Sequence, residues 1–335
     1  MSTILITGAT GFVGSHALEA LTGLAGHRLI AACRDPSQLP TTFRGEIRIG
    51  DLRDSTYRKQ ILAGVDVVCH CMSWTSLFRH GHRTRDLYLE PTLALLDEAL
   101  ERGVGRYINV STTSAAAPEH SADPMSRGIP RKFWPHLESV VAIEDSLRAL
   151  AGKTFTTVNL RFGIFAGRRY GLGILPILAP RLKTHLVPWV NGGQTSLPII
   201  AGEDIGQAVA LAATTHGLSG YEGFNIVGPE VPTVRQVIQF LHDAYGLPLP
   251  HFSVPFAAAY PFAWLMERLD ALVPWDPLVT RSVVHLLEEV NVDNERARAR
   301  LGYRPRVPWQ AAIDAQMTEM ARCQLKPMAM YKPPA

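Results

Sequence analysis

Three glycines spaced three residues apart, Gly8, Gly11 and Gly14, are the first residues in this chain whose spacing indicates a chemical task. A β-branched run, TILIT, precedes them, and a helical pattern opens directly after them. In such a unit the first glycine permits a tight turn, the second lets the backbone approach a diphosphate, and the third lets helix and strand pack closely. The helix start offers N–H groups and a positive dipole end to the phosphates. This predicts dinucleotide binding by Gly8, Thr10, Gly11, Phe12, Val13 and Gly14.

The residues after the second and third strand patterns bear on which dinucleotide is bound. Folds that bind NAD place a carboxylate at the end of the second strand, where it holds the ribose 2′-hydroxyl. Here Cys33 takes that place, Arg34 follows, and Asp35 is displaced by two residues. Because a guanidinium can pair with a 2′-phosphate, Arg34 favours NADP, while NAD stays open if Asp35 turns inward. Asp51 and Leu52, after the third strand, are expected to reach the adenine.

The elements that must position these residues alternate over the first 160 residues, as short β-rich runs separated by amphipathic helical patterns. This alternation indicates a parallel sheet covered on both faces. The predicted fold class is α/β, a Rossmann-type doubly wound parallel sheet with a smaller C-terminal α+β substrate domain. We expect 1–167 to form the dinucleotide-binding domain, with 203–227 contributing, and 168–335 to form mainly the substrate-binding domain over the carboxyl ends of the strands.

Composition narrows the possible partners and location. The chain has 335 residues and a formal net charge of +3, which gives no reason to expect nucleic acid. Its longest apolar stretch, 254–265, is too short and proline-broken to span a bilayer. The four cysteines form neither a disulfide framework nor a metal spacing. Since a strand pattern starts at about residue 3, leaving no room for a signal peptide, the expected location is the cytoplasm.

Six motifs span nearly the whole chain: TGATGFVGSH, GDLRD, VDVVCHCMS, RYINVSTTSA, NLRFGIFAG and NVDNERARARLGYRP. Together they resemble the extended short-chain dehydrogenase/reductase family, in the branch with nucleotide-sugar epimerases, dihydroflavonol reductases and 3β-hydroxysteroid dehydrogenases. The resemblance implies a nicotinamide dinucleotide, a small-molecule substrate and a homodimer built on the helices at 86–102 and 136–151.

The resemblance fails at the proton-transfer pair. The family carries Tyr-x-x-x-Lys, whereas those positions here hold His136 and Val140, and no tyrosine in the chain is followed by lysine four residues later. Of the family's constellation only a hydroxyl remains, at Thr113 or Ser111. His136 is the candidate replacement, because an imidazole can donate or accept a proton near neutral pH. The alternative is a surface or capping histidine.

Three functions remain open. The first is an atypical NADP(H)-binding oxidoreductase that reduces a carbonyl or unsaturated carbon, with His136 and Thr113 as its proton machinery. An apolar segment at 254–274 lies where the steroid-dehydrogenase branch has its substrate-covering helices, which favours a mainly apolar substrate, although a dimer contact or core packing also fits. The second is a lyase, cyclase or isomerase on the same fold. The third is a catalytically inactive nucleotide-binding protein.

Overall fold

The computed structural model describes residues 2–169, 171, 173–270, 277 and 279–323. Its strands are β1 Ser2–Thr7, β2 His27–Cys33, β3 Glu46–Ile49, β4 Val67–His70, β5 Arg106–Thr112, β6 Thr156–Phe162, β7 Ile164–Ala166, β8 Trp189–Val190, β9 Ile199–Ala201, β10 Tyr221–Ile226 and β11 Ser253–Val254.

The helices alternate with these strands in the first half of the chain and dominate the second half. They are α1 Phe12–Thr22, α2 Ser55–Ile61, α3 Gly81–Thr84, α4 Glu90–Glu101, α5 Pro135–Leu150, α6 Ile174–Leu182, α7 Gly202–Thr214, α8 Val234–Tyr245, α9 Phe256–Leu269, α10 Arg281–His285, α11 Glu295–Leu301 and α12 Trp309–Cys323. None of the helices in the described ranges is long and apolar enough to cross a bilayer.

The main sheet has seven parallel strands in the order β10-β6-β5-β4-β1-β2-β3. The predicted fold class is therefore confirmed. The strands β2 and β3 lie on one side of β1, and β4 lies on the other side, so the direction in which strands are added reverses at β1. Ligands in open sheets of this kind bind outside the carboxyl ends of the strands at such a reversal. The seventh strand, β10, returns from the second half of the chain to pair with β6.

Burial on both faces explains the almost continuous apolar sequence of the strands. Ile4 and Ile6 of β1 pack into one core cluster and Leu5 into the other, because successive side chains of a strand point to opposite faces. All three are fully buried. The helices α1 and α7 cover the first face, and α4 and α5 cover the second.

The second half of the chain adds a smaller core built on the strand pair β7–β9 and on helices α6, α8 and α12. Trp309 and Leu241 are among its buried residues. In the sequence the alternation of strand and helix patterns ends at about 168–200, yet the helix α6 forms in this region. Its Pro176 falls in the first turn, where a missing N–H costs nothing, while Pro180 lies inside the helix. Leu175, in the first turn of the same helix, is buried in this core.

Candidate active site

The glycine-rich loop lies between β1 and α1 and touches the end of β4. Gly8 has φ +60°, and a Cβ there would come within 2.7 Å of the Met72 backbone nitrogen. A Cβ on Gly14 would come within 2.2 Å of the Gly8 carbonyl oxygen. Any side chain at either position would therefore displace the loop, so both glycines are required by packing.

The start of α1 suits an anion. Gly11 is its N-cap, and α1 has neither a side-chain cap nor an acidic residue in its first turn. Thr10 and Phe12 are partly exposed, while Val13 packs into the core and anchors the first turn. The positive end of the helix dipole thus points toward the loop without a competing carboxylate.

The residues expected around the adenosine lie at the ends of β2 and β3. Arg34 is exposed. The Asp35 carboxylate accepts a hydrogen bond from the Ser37 backbone N–H at 2.9 Å, which holds it in a local turn. Asp51 accepts from the Arg53 guanidinium at 2.6 Å, and Arg53, with Arg34 farther off, lowers the pKa of Asp51. Leu52 is partly buried beside this corner.

Ser111, on β5, belongs to a buried ion-pair network. Its hydroxyl donates to Glu144 of α5 at 2.5 Å. The same carboxylate accepts from Asn159 at 2.8 Å and from the Arg161 guanidinium at 2.5 and 2.9 Å. Glu144 and Arg161 are both fully buried. The Ser111 hydroxyl is therefore engaged in holding α5 against the sheet.

Thr113 lies two residues after Ser111, where β5 passes into a 3₁₀ turn over Thr113–Ala115. It lines a cavity of about 10 Å³ together with Ser114, Pro198, His285 and Glu288. A space of this size holds about one water molecule. Of the two residues expected to supply a hydroxyl, Thr113 is therefore the one that lines this cavity.

His136 begins the first turn of α5 and is buried among aromatic rings. Its ring centroid lies 5.2 Å from that of Tyr88 and 6.4 Å from that of Trp134. Burial lowers the pKa of His136 to about 4, although a hydrogen bond with the Trp74 backbone opposes this shift. Its Nδ1 is buried and has no hydrogen-bond partner among the described residues. At neutral pH the side chain is therefore a neutral imidazole with an unused acceptor.

Val140 follows His136 by one helical turn and packs into the apolar cluster that contains Tyr88. Tyr88 lies on a π-helical turn, Arg85–Leu89, between α3 and α4. Burial, with the Glu144 carboxylate nearby, raises the pKa of Tyr88. All lysines in the described part of the chain are exposed. A phenol thus lies beside His136, but no described ammonium is buried there to acidify it.

The cavity also contains two residues that the sequence did not indicate. His285 Nε2 lies 3.1 Å from the Ser114 carbonyl oxygen, and His285 Nδ1 lies 2.8 Å from Glu288 Oε2. The second contact has the length of an ion pair, although ring and carboxylate are not aligned for a linear hydrogen bond. Tyr260 of α9 donates to Glu288 Oε1 at 2.5 Å. No motif marks these residues, because 171 positions separate His285 from Ser114.

Comparison with known families gives one match over most of the chain. The model of the NAD dependent epimerase/dehydratase family matches residues 4–226. Among curated relatives, the 4-hydroxy-2-methyl-3-oxo-4-farnesyl-3,4-dihydroquinoline-1-oxide ketoreductase of Stigmatella aurantiaca is 28% identical over 321 residues, which cover 92% of this chain and 94% of the relative.

Solved structures agree in fold. The crystal structure of gox2253 has a TM-score of 0.76 and 23% identity, and the match covers 96% of this chain and 99% of that one. UDP-glucuronic acid 4-epimerase from Bacillus cereus, solved in complex with NAD, has a TM-score of 0.72 and 16% identity, with 96% and 99% covered.

Proposed function

The chain belongs to the NAD dependent epimerase/dehydratase family, and we propose that it is an NADP(H)-binding oxidoreductase that reduces a carbonyl group of a mainly apolar small molecule. One observation carries the proposal: the glycine loop and the Thr113 cavity lie at the same edge of the sheet, at the carboxyl ends of β1 and β5. A ketoreductase of a farnesylated quinoline N-oxide among the relatives supports the reaction type and the apolar substrate.

Three features of the chain fit such a cofactor. The loop has no room for a side chain at Gly14, α1 begins without a capping carboxylate, and the buried Nδ1 of His136 has no partner among the described residues. When bound, the reduced cofactor supplies a hydride. In the proposed site the loop holds the diphosphate, and neutral His136 accepts a hydrogen bond from a hydroxyl of the nicotinamide ribose. Thr113 positions the substrate oxygen.

Reduction should be visible as consumption of the nicotinamide absorbance. With NADPH and an apolar ketone such as 1-tetralone, we expect loss of the reduced-nicotinamide band and transfer of deuterium from C4-labelled NADPH into the alcohol product. Turnover without any change in that band would instead favour the lyase, cyclase or isomerase alternative. Tight nucleotide binding without turnover would favour an inactive nucleotide-binding protein.

The role of His136 can be tested by measuring NADPH binding and the rate of ketone reduction for a variant. Replacing His136 with Phe keeps an aromatic ring against Tyr88 but removes the acceptor, so the Kd for NADPH should rise. An unchanged Kd together with an unchanged rate would remove His136 from the site.

The preference for NADP should depend on Arg34. Its side chain is exposed at the end of β2, and the Ser37 backbone holds the neighbouring Asp35 in a local turn, so the guanidinium is accessible to a 2′-phosphate. Replacing Arg34 with Ala should weaken NADPH binding about tenfold or more, corresponding to about 1.4 kcal/mol or more. NADH binding should change little.

Arg28 provides the matched control for this measurement. It lies near the start of β2, the strand that Arg34 follows, and its guanidinium pairs with Glu46. Arg28→Ala should leave both Kd values unchanged in calorimetric titrations. Equal weakening of NADPH and NADH by Arg34→Ala would contradict the assignment of NADP.

We propose a homodimer built on α4 and α5. Leu93 and Leu100 of α4 and Leu150 of α5 are only partly buried, which leaves apolar surface on both helices. A native mass spectrum that shows only the 36.8 kDa monomer would reject this assembly.

A further inference from the structure

Building on the proposed function, we propose that His285, oriented by Glu288, donates the proton to the substrate oxygen held at Thr113. His285 is then a catalytic residue and Glu288 a positioning residue. Both come from the second half of the chain, and both line the cavity behind β5 that contains Thr113.

The contacts of His285 place an oxygen acceptor beside each ring nitrogen. Nε2 faces the Ser114 carbonyl oxygen, which can only accept, and Nδ1 faces the Glu288 carboxylate. Burial raises the pKa of Glu288, but His285, Tyr260 and Arg131 together lower it below its usual value, so this carboxyl is ionised at neutral pH. Both ring nitrogens therefore lie next to an oxygen acceptor, and the Nδ1 contact sets the orientation of the ring.

Other charged groups around the pair support this arrangement. Arg131 approaches Glu288 Oε2 at 4.0 Å, Tyr260 donates to Oε1, and His285 contacts Oε2, so three side chains surround the carboxylate. The rings of Phe133 and Trp134 lie edge-on to His285 at 6.4 and 6.1 Å and hold the imidazole in place. A carboxylate that orients an imidazole is an arrangement that recurs in general acid–base catalysis.

The neighbouring candidates are less suited to this role. His136 has a pKa of about 4 and enters the site neutral. Burial raises the pKa of the Tyr88 phenol, and the described lysines are all exposed. Among the described side chains around Thr113, His285 is the imidazole that a carboxylate contacts.

The proposed step balances in atoms and electrons. The carbonyl carbon gains a hydrogen with two electrons from the reduced nicotinamide dinucleotide phosphate, and the π pair of the C=O bond moves onto oxygen. That oxygen takes the proton of His285 Nε2, which yields the alcohol. His285 is left neutral and regains a proton from water while Glu288 keeps its orientation.

The test uses the full chain with NADPH and 1-tetralone, and measures kcat, KM and the Kd for NADPH. His285→Gln should lower kcat by about 10²-fold or more, the range of general acid catalysis, with the Kd for NADPH unchanged. Glu288→Gln should lower kcat less. Glu289→Gln is the matched control. The Glu289 carboxylate, next in sequence to Glu288, accepts hydrogen bonds from Ser196 at the surface, so kcat should stay at the wild-type value. Added imidazole should restore part of the rate of His285→Ala, which a structural role would not allow.

Each other outcome is decisive. If His285→Gln and His285→Ala keep the wild-type kcat, the inference is overturned while the proposed reductase stands. If His285→Ala loses activity and imidazole does not restore it, or if it also loses NADPH binding, His285 is structural and the inference is again overturned. If the wild type binds NADPH but reduces no ketone, the proposed function fails, and the inference fails with it. Should the His285 variants not fold, a Glu288→Gln protein with normal melting and normal kcat would also overturn the inference.

Discussion

Replacing Glu144 with Gln should lower the free energy of unfolding by about 3–5 kcal/mol, the usual cost of removing one partner of a buried ion pair. Glu144 and Arg161 are both fully buried, and the carboxylate accepts hydrogen bonds from Ser111 and Asn159 as well. The amide would keep the shape of the side chain but leave the Arg161 guanidinium uncompensated. Urea denaturation at neutral pH would measure the change.

An exposed ion pair provides the control. Glu203 pairs with Arg168 at 3.0 Å, with about half of each side chain exposed. Glu203→Gln should therefore cost no more than about 1 kcal/mol. A Glu144→Gln protein as stable as Glu203→Gln would contradict the role of the network. If Glu144→Leu combined with Arg161→Leu recovers stability relative to Glu144→Gln, the unpaired charge is the cause of the loss.

Acidification should destabilise the protein through two buried histidines. Burial lowers the pKa of His70 to about 3 and that of His136 to about 4, from 6.5. The unfolded chain therefore binds these protons first, so the stabilisation is complete above pH 6.5 and is lost as the pH falls toward the folded-state values. At pH 5 the two histidines together should lower the free energy of unfolding by about 4 kcal/mol.

Urea denaturation midpoints at pH 7 and pH 5 would check this expectation. Because carboxylates also titrate in this range, histidine variants are needed to identify the part of the loss that the histidines cause. His136→Gln should reduce the acid-dependent loss, because one of the two protons is no longer taken up on unfolding. His82, almost fully exposed, is the matched control, and His82→Gln should retain the full loss. An identical loss in wild type and His136→Gln would show that His136 is not buried as a neutral ring.

The features that could be predicted from the sequence are local ones. The glycine loop could be recognised because strand, turn and helix follow one another within about twenty residues, and each glycine has a separate steric reason. The order of strands and helices in the first half follows from the same local periodicity. The family motifs, each a short stretch of chain, indicated the same fold.

What could not be predicted depends on contacts between distant segments. The neutral state of His136 follows from burial beside Tyr88 and Trp134, and Tyr88 comes from a different helix. The pairing of Ser111 with Glu144 crosses from β5 to α5. His285 reaches the backbone at Ser114 only because the second half of the chain folds over the carboxyl ends of the strands. None of these contacts leaves a pattern in the sequence.

The proposed nucleotide loop and the proposed proton donor come from opposite ends of the chain, which has a consequence for how such proteins diversify. The residues proposed to hold the diphosphate and the adenosine come from the first 52 positions, whereas His285, Glu288 and Tyr260 lie after position 259. Mutation in the later segment can therefore alter the reaction while selection preserves the earlier one unchanged. A lineage that lost its ancestral tyrosine and lysine would need no new nucleotide site, only a new neighbour supplied from the far end of the gene.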